Sequence, residues 1–206
     1  MQTNKVGVVG AGAMGAGIAQ IASQAGHQVI LHDISQSTLD ESASKLAKVM
    51  ARLVEKKRIT LEESTDIQGR IVRSTQIDLF EGCDLVVEAV VENLDVKHSV
   101  FKQIENIVSS DCIVASNTSS LSITSLAAGC NHPERVLGLH FFNPAPLMPL
   151  VEIVPAIQTS VDIPLHLVSL MKDWGKSPVI AKDTPGFIVN RVARPFYGEA
   201  LRILNE

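Results

Sequence analysis

The chain has 206 residues, of which 46% are hydrophobic and 19% are charged. This is enough for roughly one domain with a buried core, and it excludes both a disordered chain and a small scaffold held together by disulfides. Eighteen Lys and Arg residues against 22 Asp and Glu residues give a net charge of -4, so we expect no nucleic-acid partner. Binding to phosphate backbones needs a basic surface, which this balance does not supply.

The spacing of Cys83, Cys112 and Cys130 matches neither zinc ligands nor a redox pair, so we expect no metal site and a reducing compartment. The uncharged stretch over residues 6–22 resembles a signal peptide, but its glycines weaken a signal helix and suit a phosphate-binding turn. No uncharged stretch approaches the ~20 apolar residues that span a bilayer. We therefore expect a soluble, cytoplasmic protein without a membrane partner.

Strands and helices alternate along the chain. Periodicity and turn residues predict strands over 6–9, 28–31, 71–73, 85–87, 113–115, 136–140, 150–154 and 178–181. The same patterns predict helices over 13–24, 37–57, 61–68, 96–108, 123–128 and 164–174. Strands that alternate with helices indicate an α/β fold with a doubly wound, mostly parallel sheet that has helices on both faces.

A last helical pattern opens at Pro185 and Gly186, and the sequence ends inside it. Most of its apolar residues fall on one face, and an apolar face needs a partner. We expect residues 1–184 to be one nucleotide-binding domain and residues 185–206 to be the first helix of a helical domain that these 206 residues lack. A surface that docks on another chain is the alternative.

A glycine-rich turn lies directly between the first strand and the first helix. Gly10 permits the tight turn, Gly12 lets the backbone approach a pyrophosphate, and Gly15 allows close packing of the helix on the strand. Met14 completes the motif, and the helix N-terminus favours the anion. Asp33 follows the second strand, where a carboxylate can bind both ribose hydroxyls and repel a 2′-phosphate. These residues predict a Rossmann-type site for NAD rather than NADP, against the alternative of a mere glycine-rich turn with a surface aspartate.

Four motifs together carry a family resemblance: GAGAMGAG at 10–17, SNTSS at 116–120, HFFNP at 140–144 and DTPGFIVNR at 183–191. They resemble the NAD-dependent L-3-hydroxyacyl-CoA dehydrogenases, especially bacterial enzymes that act on 3-hydroxybutyryl-CoA or, in phenylacetate degradation, on 3-hydroxyadipyl-CoA. The resemblance covers the whole chain. It implies an acyl-CoA substrate, NAD as cofactor and a homodimer in the full-length form, whose C-terminal helical domain of about 100 residues is missing here.

His140 is the candidate general acid/base, because a hydride that leaves carbon 3 of a hydroxyacyl substrate requires the hydroxyl proton to leave as well. Imidazole suits this transfer near neutral pH. Glu152 follows after a loop that could fold the next strand back beside the first, so its carboxylate could orient the imidazole. The resemblance implies the same pairing, whereas a histidine at a strand end without such neighbours is more often structural than catalytic.

The resemblance implies two further catalytic residues, which would also contact the acyl-CoA. Ser119 matches a serine that touches the substrate oxygen close to the nicotinamide, and Asn190 matches an asparagine that helps hold the substrate carbonyl or 3-oxygen. A helix N-cap is the alternative for Ser119, although Ser120 or Ser122 could cap that helix. A polar residue at a domain junction is the alternative for Asn190.

The resemblance also implies ligands for the cofactor and for coenzyme A. Glu92, Lys97 and Asn143 match positions around the nicotinamide and its ribose, although Glu92 and Lys97 could equally be charges at the start of a solvated helix. Lys56 matches a helix end that helps bind the coenzyme A phosphates, and Lys57 fits nearly as well. A solvated basic face explains both lysines without any ligand.

Three other functions compete with this interpretation. The β-hydroxyacid dehydrogenases share the glycine turn but resemble a family with a lysine acid/base, and HFFNP with Glu152 favours the histidine mechanism instead. A gulonate-type dehydrogenase keeps the nucleotide site and the histidine without needing a coenzyme A site. A nucleotide-binding structural or regulatory domain would bind NAD without turnover.

Overall fold

The computed structural model describes residues 3–206, and its centre is one eight-stranded sheet with the order β3-β2-β1-β4-β5-β6-β7-β8. The strands are β1 Lys5–Val9, β2 Gln28–His32, β3 Ile71–Ser74, β4 Leu85–Glu88, β5 Ile113–Ser116, β6 Val136–Phe141, β7 Leu150–Pro155 and β8 Ser177–Ile180. The helices are α1 Ala13–Gln24, α2 Gln36–Glu55, α3 Leu61–Gly69, α4 Leu94–Glu105, α5 Ile123–Ala128, α6 Asp162–Asp173 and α7 Val189–Asn205. Two short 3₁₀ helices over Ile77–Phe80 and Pro133–Arg135 were not predicted from the sequence.

The predicted α/β fold with a doubly wound, mostly parallel sheet is confirmed. Neighbouring strands run parallel except β6 and β7, which pair antiparallel. A parallel connection needs a crossover of a dozen or more residues. Residues 142–149 contain no helix and are too few for such a crossover, so the chain turns back and lays β7 beside β6.

The sheet is covered by helices on both faces, which explains why its central strands are continuous hydrophobic runs. Apolar side chains of α1, α2, α3 and α6 pack with one face, as Ile18, Met50 and Leu167 show. Side chains of α4 and α5, among them Phe101 and Leu126, pack with the other face. A parallel sheet that is buried on both faces favours apolar residues in its strand interiors.

The predicted start of the last helix at residues 185 and 186 is wrong, because α7 begins at Val189. Gly186 has a φ of 77° and Phe187 has a φ of 50°, so both residues lie in the left-handed region. That conformation cannot belong to a right-handed helix. Among the described residues, α7 buries no side chain.

The cysteines are placed as unreactive side chains. Burial raises the pKa of Cys83 to about 11 and that of Cys112 to about 12, so both thiols stay protonated at neutral pH. Residues 3–206 contain no cluster of three or more side chains suited to hold a metal ion. Within the same residues, none of the helices has the length and apolar character that a membrane crossing requires.

We predict that Lys57→Gly stabilises the protein, because Lys57, two residues after the end of α2, has a φ of 54° in the left-handed region. Its backbone N–H donates to the carbonyl of Val54 at 2.9 Å, so the turn is fixed in this conformation. Glycine adopts it without a steric cost, which should raise the free energy of unfolding by about 1 kcal/mol. Urea denaturation checks this value.

Lys48→Gly is the matched control for that prediction. Lys48 is an exposed residue in the middle of α2, where glycine should lower the free energy of unfolding by about 1 kcal/mol. If Lys57→Gly and Lys48→Gly both lower the free energy of unfolding, the left-handed conformation of Lys57 is not a source of strain.

Candidate active site

The glycine-rich turn between β1 and α1 has the geometry of an anion site. Gly10 has a φ of 95°, and a Cβ there would lie 2.6 Å from the carbonyl oxygen of Ala89. A Cβ on Gly15 would collide with the carbonyl oxygen of Gly10, so these glycines let the chain pack against itself. Gly12 differs, because a Cβ there meets nothing within 4 Å. No side chain caps α1, so its first N–H groups remain open to a ligand.

Asp33 lies against this turn, immediately after β2. Its Oδ2 accepts from the backbone N–H of Ala11 at 2.8 Å, and its Oδ1 accepts from the N–H of Ser35 at 2.9 Å. These contacts fix the carboxylate beside the turn and leave lone pairs on both oxygens. A carboxylate held in this way can accept from two adjacent ribose hydroxyls.

A cleft of about 530 Å³ adjoins Gly10, Gly12 and Asp33. Its other walls are mostly aliphatic and include Ile34, Ile77, Val91, Val96 and Val100. The cleft opens where the strand order passes from β1 to β4, which is the point where doubly wound sheets bind ligands. An apolar slot beside a ribose-binding carboxylate fits the adenosine half of a dinucleotide.

His140 and Glu152 form a buried pair on β6 and β7, directly opposite each other in the antiparallel register. The distance from His140 Nδ1 to Glu152 Oε2 is 2.7 Å, and the two residues are 4% and 0% exposed. Because an ionised carboxylate can only accept, Nδ1 carries a proton and Nε2 is the nitrogen left for chemistry. The imidazole contacts the rings of Phe142 and Phe187, with centroids 4.5 Å and 5.7 Å away.

The second oxygen of Glu152 reaches the start of α7. Glu152 Oε1 accepts from the N–H groups of Ile188 and Val189 at 3.0 Å and 2.9 Å. The left-handed backbone of Phe187 turns these two N–H groups inward while its own ring is buried against His140. One carboxylate therefore orients the imidazole and anchors the last helix.

Buried Lys97 and Glu88 form a second polar cluster together with Glu92, whose side chain is 40% exposed. Lys97 Nζ lies 2.6 Å from Glu88 Oε1 and 3.4 Å from Glu92 Oε2, and Lys97 is only 1% exposed. Glu88 Oε2 also accepts from the hydroxyl of Ser116 at 2.6 Å. The idea that Glu92 and Lys97 are charges on a solvated helix is therefore wrong for Lys97, which lies inside the protein.

Glu92 organises the SNTSS segment from the other side of this cluster. It accepts from the hydroxyl of Thr118, the N–H of Ser119 and the hydroxyl of Ser120 at 2.5, 2.9 and 3.1 Å. Burial raises the pKa of Glu92, but these hydrogen bonds and the charge of Lys97 lower it by more. The pKa therefore lies below its ordinary value, and Glu92 is a carboxylate at neutral pH.

The helix-capping alternative for Ser119 does not hold. Ser122 is the N-cap of α5, and its side chain accepts from the N–H of Ser125 at 3.2 Å. The hydroxyl of Ser119 thus remains available, while its carbonyl accepts from Asn190 Nδ2 at 3.2 Å. This contact brings α7 onto the SNTSS segment.

Ser119, Asn190, Glu92 and Lys97 come together in a second cleft of about 320 Å³. Met14 and Asn117 also line it, so it begins beside the glycine turn. Asn117 Oδ1 accepts from the N–H of Phe141 at 2.9 Å, which holds this segment next to His140. The cleft therefore extends from the nucleotide turn to Ser119 and Asn190, whereas the His140–Glu152 pair does not line it.

Two predicted residues lie elsewhere. Asn143 is exposed and lines neither cleft, and Lys56 is exposed at the end of α2. Three important residues were missed from the sequence, Glu88, Phe187 and Asp183. Asp183 accepts from Ser122 Oγ and from the N–H groups of Ile123 and Thr124 at 2.8–3.0 Å, and so ties the DTPGF segment to α5. Glu88 could have been recognised from the sequence. It ends an apolar strand, and a carboxylate there is costly to bury unless it has partners.

A Rossmann-type sheet with this turn, Asp33 and a buried histidine–glutamate pair defines the class of NAD-dependent dehydrogenase domains. Residues 5–184 match the family model described as "3-hydroxyacyl-CoA dehydrogenase, NAD binding domain". The chain belongs to this family, and its cofactor is NAD.

Relatives in several bacteria share this likeness. The chain is 45% identical over 201 residues to 3-hydroxyadipyl-CoA dehydrogenase of Escherichia coli. The aligned region covers 98% of the chain and 42% of that protein. It is 43% identical over 202 residues to a probable 3-hydroxybutyryl-CoA dehydrogenase of Deinococcus radiodurans, covering 98% of the chain and 72% of the relative. The crystal structure of (S)-3-hydroxybutyryl-CoA dehydrogenase from Ralstonia eutropha superimposes with a TM-score of 0.96 at 41% identity, over 99% of the chain and 72% of that structure. The chain thus spans less than half of one of these relatives and about seven tenths of the others.

The glycine turn yields a prediction that separates folding from binding. Gly12→Ala should change stability by less than about 0.5 kcal/mol, because its methyl group meets open space. The same methyl blocks the approach of a pyrophosphate, so NAD affinity should fall at least about ten-fold. Urea denaturation and calorimetric titration with NAD measure the two effects.

Gly15→Ala is the matched comparison, since its methyl group meets the carbonyl of Gly10. We expect it to lower the free energy of unfolding by about 1–3 kcal/mol, the usual cost of an overpacked site. Unchanged NAD affinity in Gly12→Ala would show that the pyrophosphate does not bind at this turn.

Asp33→Asn tests which group selects the cofactor. The amide keeps an oxygen that can accept from Ala11 or Ser35 but loses the charge that repels a 2′-phosphate. The ratio of the dissociation constants for NADP and NAD should fall about ten-fold or more. Asp40→Asn, an exposed change on α2, should leave the ratio as it is. A constant ratio in Asp33→Asn would mean that another group reads the ribose.

Proposed function

We propose that the chain carries out the reversible, NAD-dependent oxidation of an L-3-hydroxyacyl-CoA to the 3-ketoacyl-CoA, with His140 as general acid/base. The observation that carries this proposal is the buried His140–Glu152 pair, 2.7 Å apart, on the same sheet as the dinucleotide turn. A histidine locked against a carboxylate has one nitrogen dedicated to orientation and one free to exchange a proton.

The route of the proton follows from this geometry. Nε2 of His140 takes the proton of the 3-hydroxyl group, and Glu152 stabilises the imidazolium that forms because its Oε2 already accepts from Nδ1. NAD supplies the hydride acceptor at its nicotinamide. In the reverse direction the imidazolium returns the proton to the 3-oxygen, so His140 serves both directions.

Ser119 and Asn190 position the substrate oxygen in this proposal. They line the same cleft, and the link from Asn190 Nδ2 to the carbonyl of Ser119 holds them as one unit. A hydroxyl and an amide are neutral donors where negative charge develops on oxygen. Glu92 and Lys97 would hold the nicotinamide ribose, since both line this cleft beside the glycine turn.

The remaining ligand assignments rest on the family. Asn143 would contact the nicotinamide side from the loop after β6, and Lys56, exposed at the end of α2, would bind coenzyme A phosphates. Lys57 is the alternative to Lys56. The names of relatives suggest 3-hydroxybutyryl-CoA or 3-hydroxyadipyl-CoA as substrates.

We further propose a domain division at residues 184 and 185. The family match ends at residue 184, and α7 beyond it leaves its apolar residues exposed, among them Val192, Phe196 and Leu204. In this proposal residues 185–206 begin a helical domain, the full-length protein is a cytoplasmic homodimer, and its partner is an acyl-CoA rather than a nucleic acid or a membrane.

His140→Ala tests the proposed chemistry. Loss of the acid/base should lower kcat for NADH oxidation with acetoacetyl-CoA by about 100-fold or more. The dissociation constant for NAD should stay the same, because His140 contacts neither the glycine turn nor Asp33. His132→Ala, at an exposed histidine that pairs with Glu134, is the control and should keep full activity.

Each outcome of this assay is decisive. Full activity in His140→Ala would remove His140 from the mechanism. Tight NAD binding by the unmodified chain without any turnover would mean that these 206 residues bind the cofactor but do not catalyse.

A further inference from the structure

The cleft that holds Ser119 and Asn190 contains a cation that the proposed reaction does not use. Arg194 lines this cleft together with Lys97, Glu92 and Ser120. It follows Asn190 by one turn of α7, so both side chains lie on the same face of that helix. Arg194 is an exposed residue that borders the same cleft as the groups that would hold the substrate oxygen.

Arg194 differs from the other cations around it. Lys97 lies against two carboxylates, Arg202 is paired with Glu199 at 2.6 Å, and Arg191 donates to the hydroxyl of Thr184. Within residues 3–206, Arg194 has no carboxylate within 4.0 Å and no side-chain hydrogen bond. Among the described residues its guanidinium therefore has no ion-pair partner, and its donors are free at a residue that lines the cleft.

The length of the cleft face indicates which part of the substrate meets this charge. Asn190 and Arg194 are separated by about 6 Å along the helix axis, at 1.5 Å per residue. If Asn190 contacts the oxygen on carbon 3, Arg194 meets atoms a few bonds further along. Three carbon–carbon bonds of about 1.5 Å each, together with the long arginine side chain, cover this separation.

We propose that Arg194 binds a carboxylate at the distal end of the acyl chain and so makes this site selective for dicarboxylic 3-hydroxyacyl-CoA substrates. The inference rests on the proposed function, because it uses the same cleft and the same substrate orientation. A planar guanidinium forms two parallel hydrogen bonds with a carboxylate, which a terminal methyl group cannot replace. Arg194 acts as a specificity residue and has no part in the proton or hydride transfer.

A matched pair of ligands tests this inference. Adipyl-CoA and hexanoyl-CoA have acyl chains of the same length that end in a carboxylate and in a methyl group. Neither has a 3-hydroxyl group, so both can be titrated calorimetrically into the NAD-loaded chain without turnover. The measured quantity is the ratio of the dissociation constants of hexanoyl-CoA and adipyl-CoA.

We expect Arg194→Leu to lower this ratio at least about ten-fold, because a charge-assisted hydrogen bond to a carboxylate is lost. Arg194→Lys keeps the charge and should retain part of the preference. Arg202→Leu removes a cation from the same helix outside the cleft and should leave the ratio unchanged.

The other outcomes overturn the inference in distinguishable ways. An equal loss of affinity for both thioesters in Arg194→Leu would mean that the guanidinium binds the shared coenzyme A phosphates. A weaker affinity for NAD alone would assign it to the cofactor. If the two thioesters bind the unmodified chain equally well, the carboxylate inference fails and the proposed function stands. If neither thioester binds, the proposed function fails with it for this chain.

Discussion

The carboxylate of Glu152 is the contact on which the arrangement of the site depends. It is fully buried, and a buried charge is stable only when hydrogen-bond donors surround it. Its donors come from two separate places, the imidazole of His140 on β6 and the first N–H groups of α7. The orientation of His140 and the position of α7 are therefore coupled through one carboxylate. A shift of α7 would move Glu152 and disturb the imidazole.

Other carboxylates around the cleft also connect separate segments through hydrogen bonds. Glu92 gathers donors from the SNTSS segment, Glu88 connects Lys97 to Ser116, and Asp183 fixes the start of α5. Each carboxylate joins segments that are distant in sequence, because its hydrogen-bond donors come from more than its own neighbours in the chain. The SNTSS segment is held from both sides in this way, which leaves the hydroxyl of Ser119 free to face the cleft.

The parts of the fold that follow local rules could be predicted from the sequence. The alternation of apolar runs with amphipathic helices defined the α/β class, and the glycines before α1 located the turn. The start of α7 could not be predicted, because helix propensity does not reveal that Phe187 occupies a left-handed conformation against His140. Glu88 was missed for a similar reason, since its role depends on a lysine brought to it by α4.

The sequence by itself determined the α/β class with a mostly parallel sheet, the nucleotide turn with Asp33, and the candidates His140 and Glu152, because periodicity, glycine geometry and short spacings are local properties. Only the tertiary structure decided which nitrogen of His140 is left free by Glu152, that Lys97 is buried between two carboxylates, and that Arg194 lines the cleft of Ser119 and Asn190. Those facts depend on which donors and acceptors lie close together across distant segments. Burial makes these contacts important, because a buried polar group without a hydrogen-bond partner is costly.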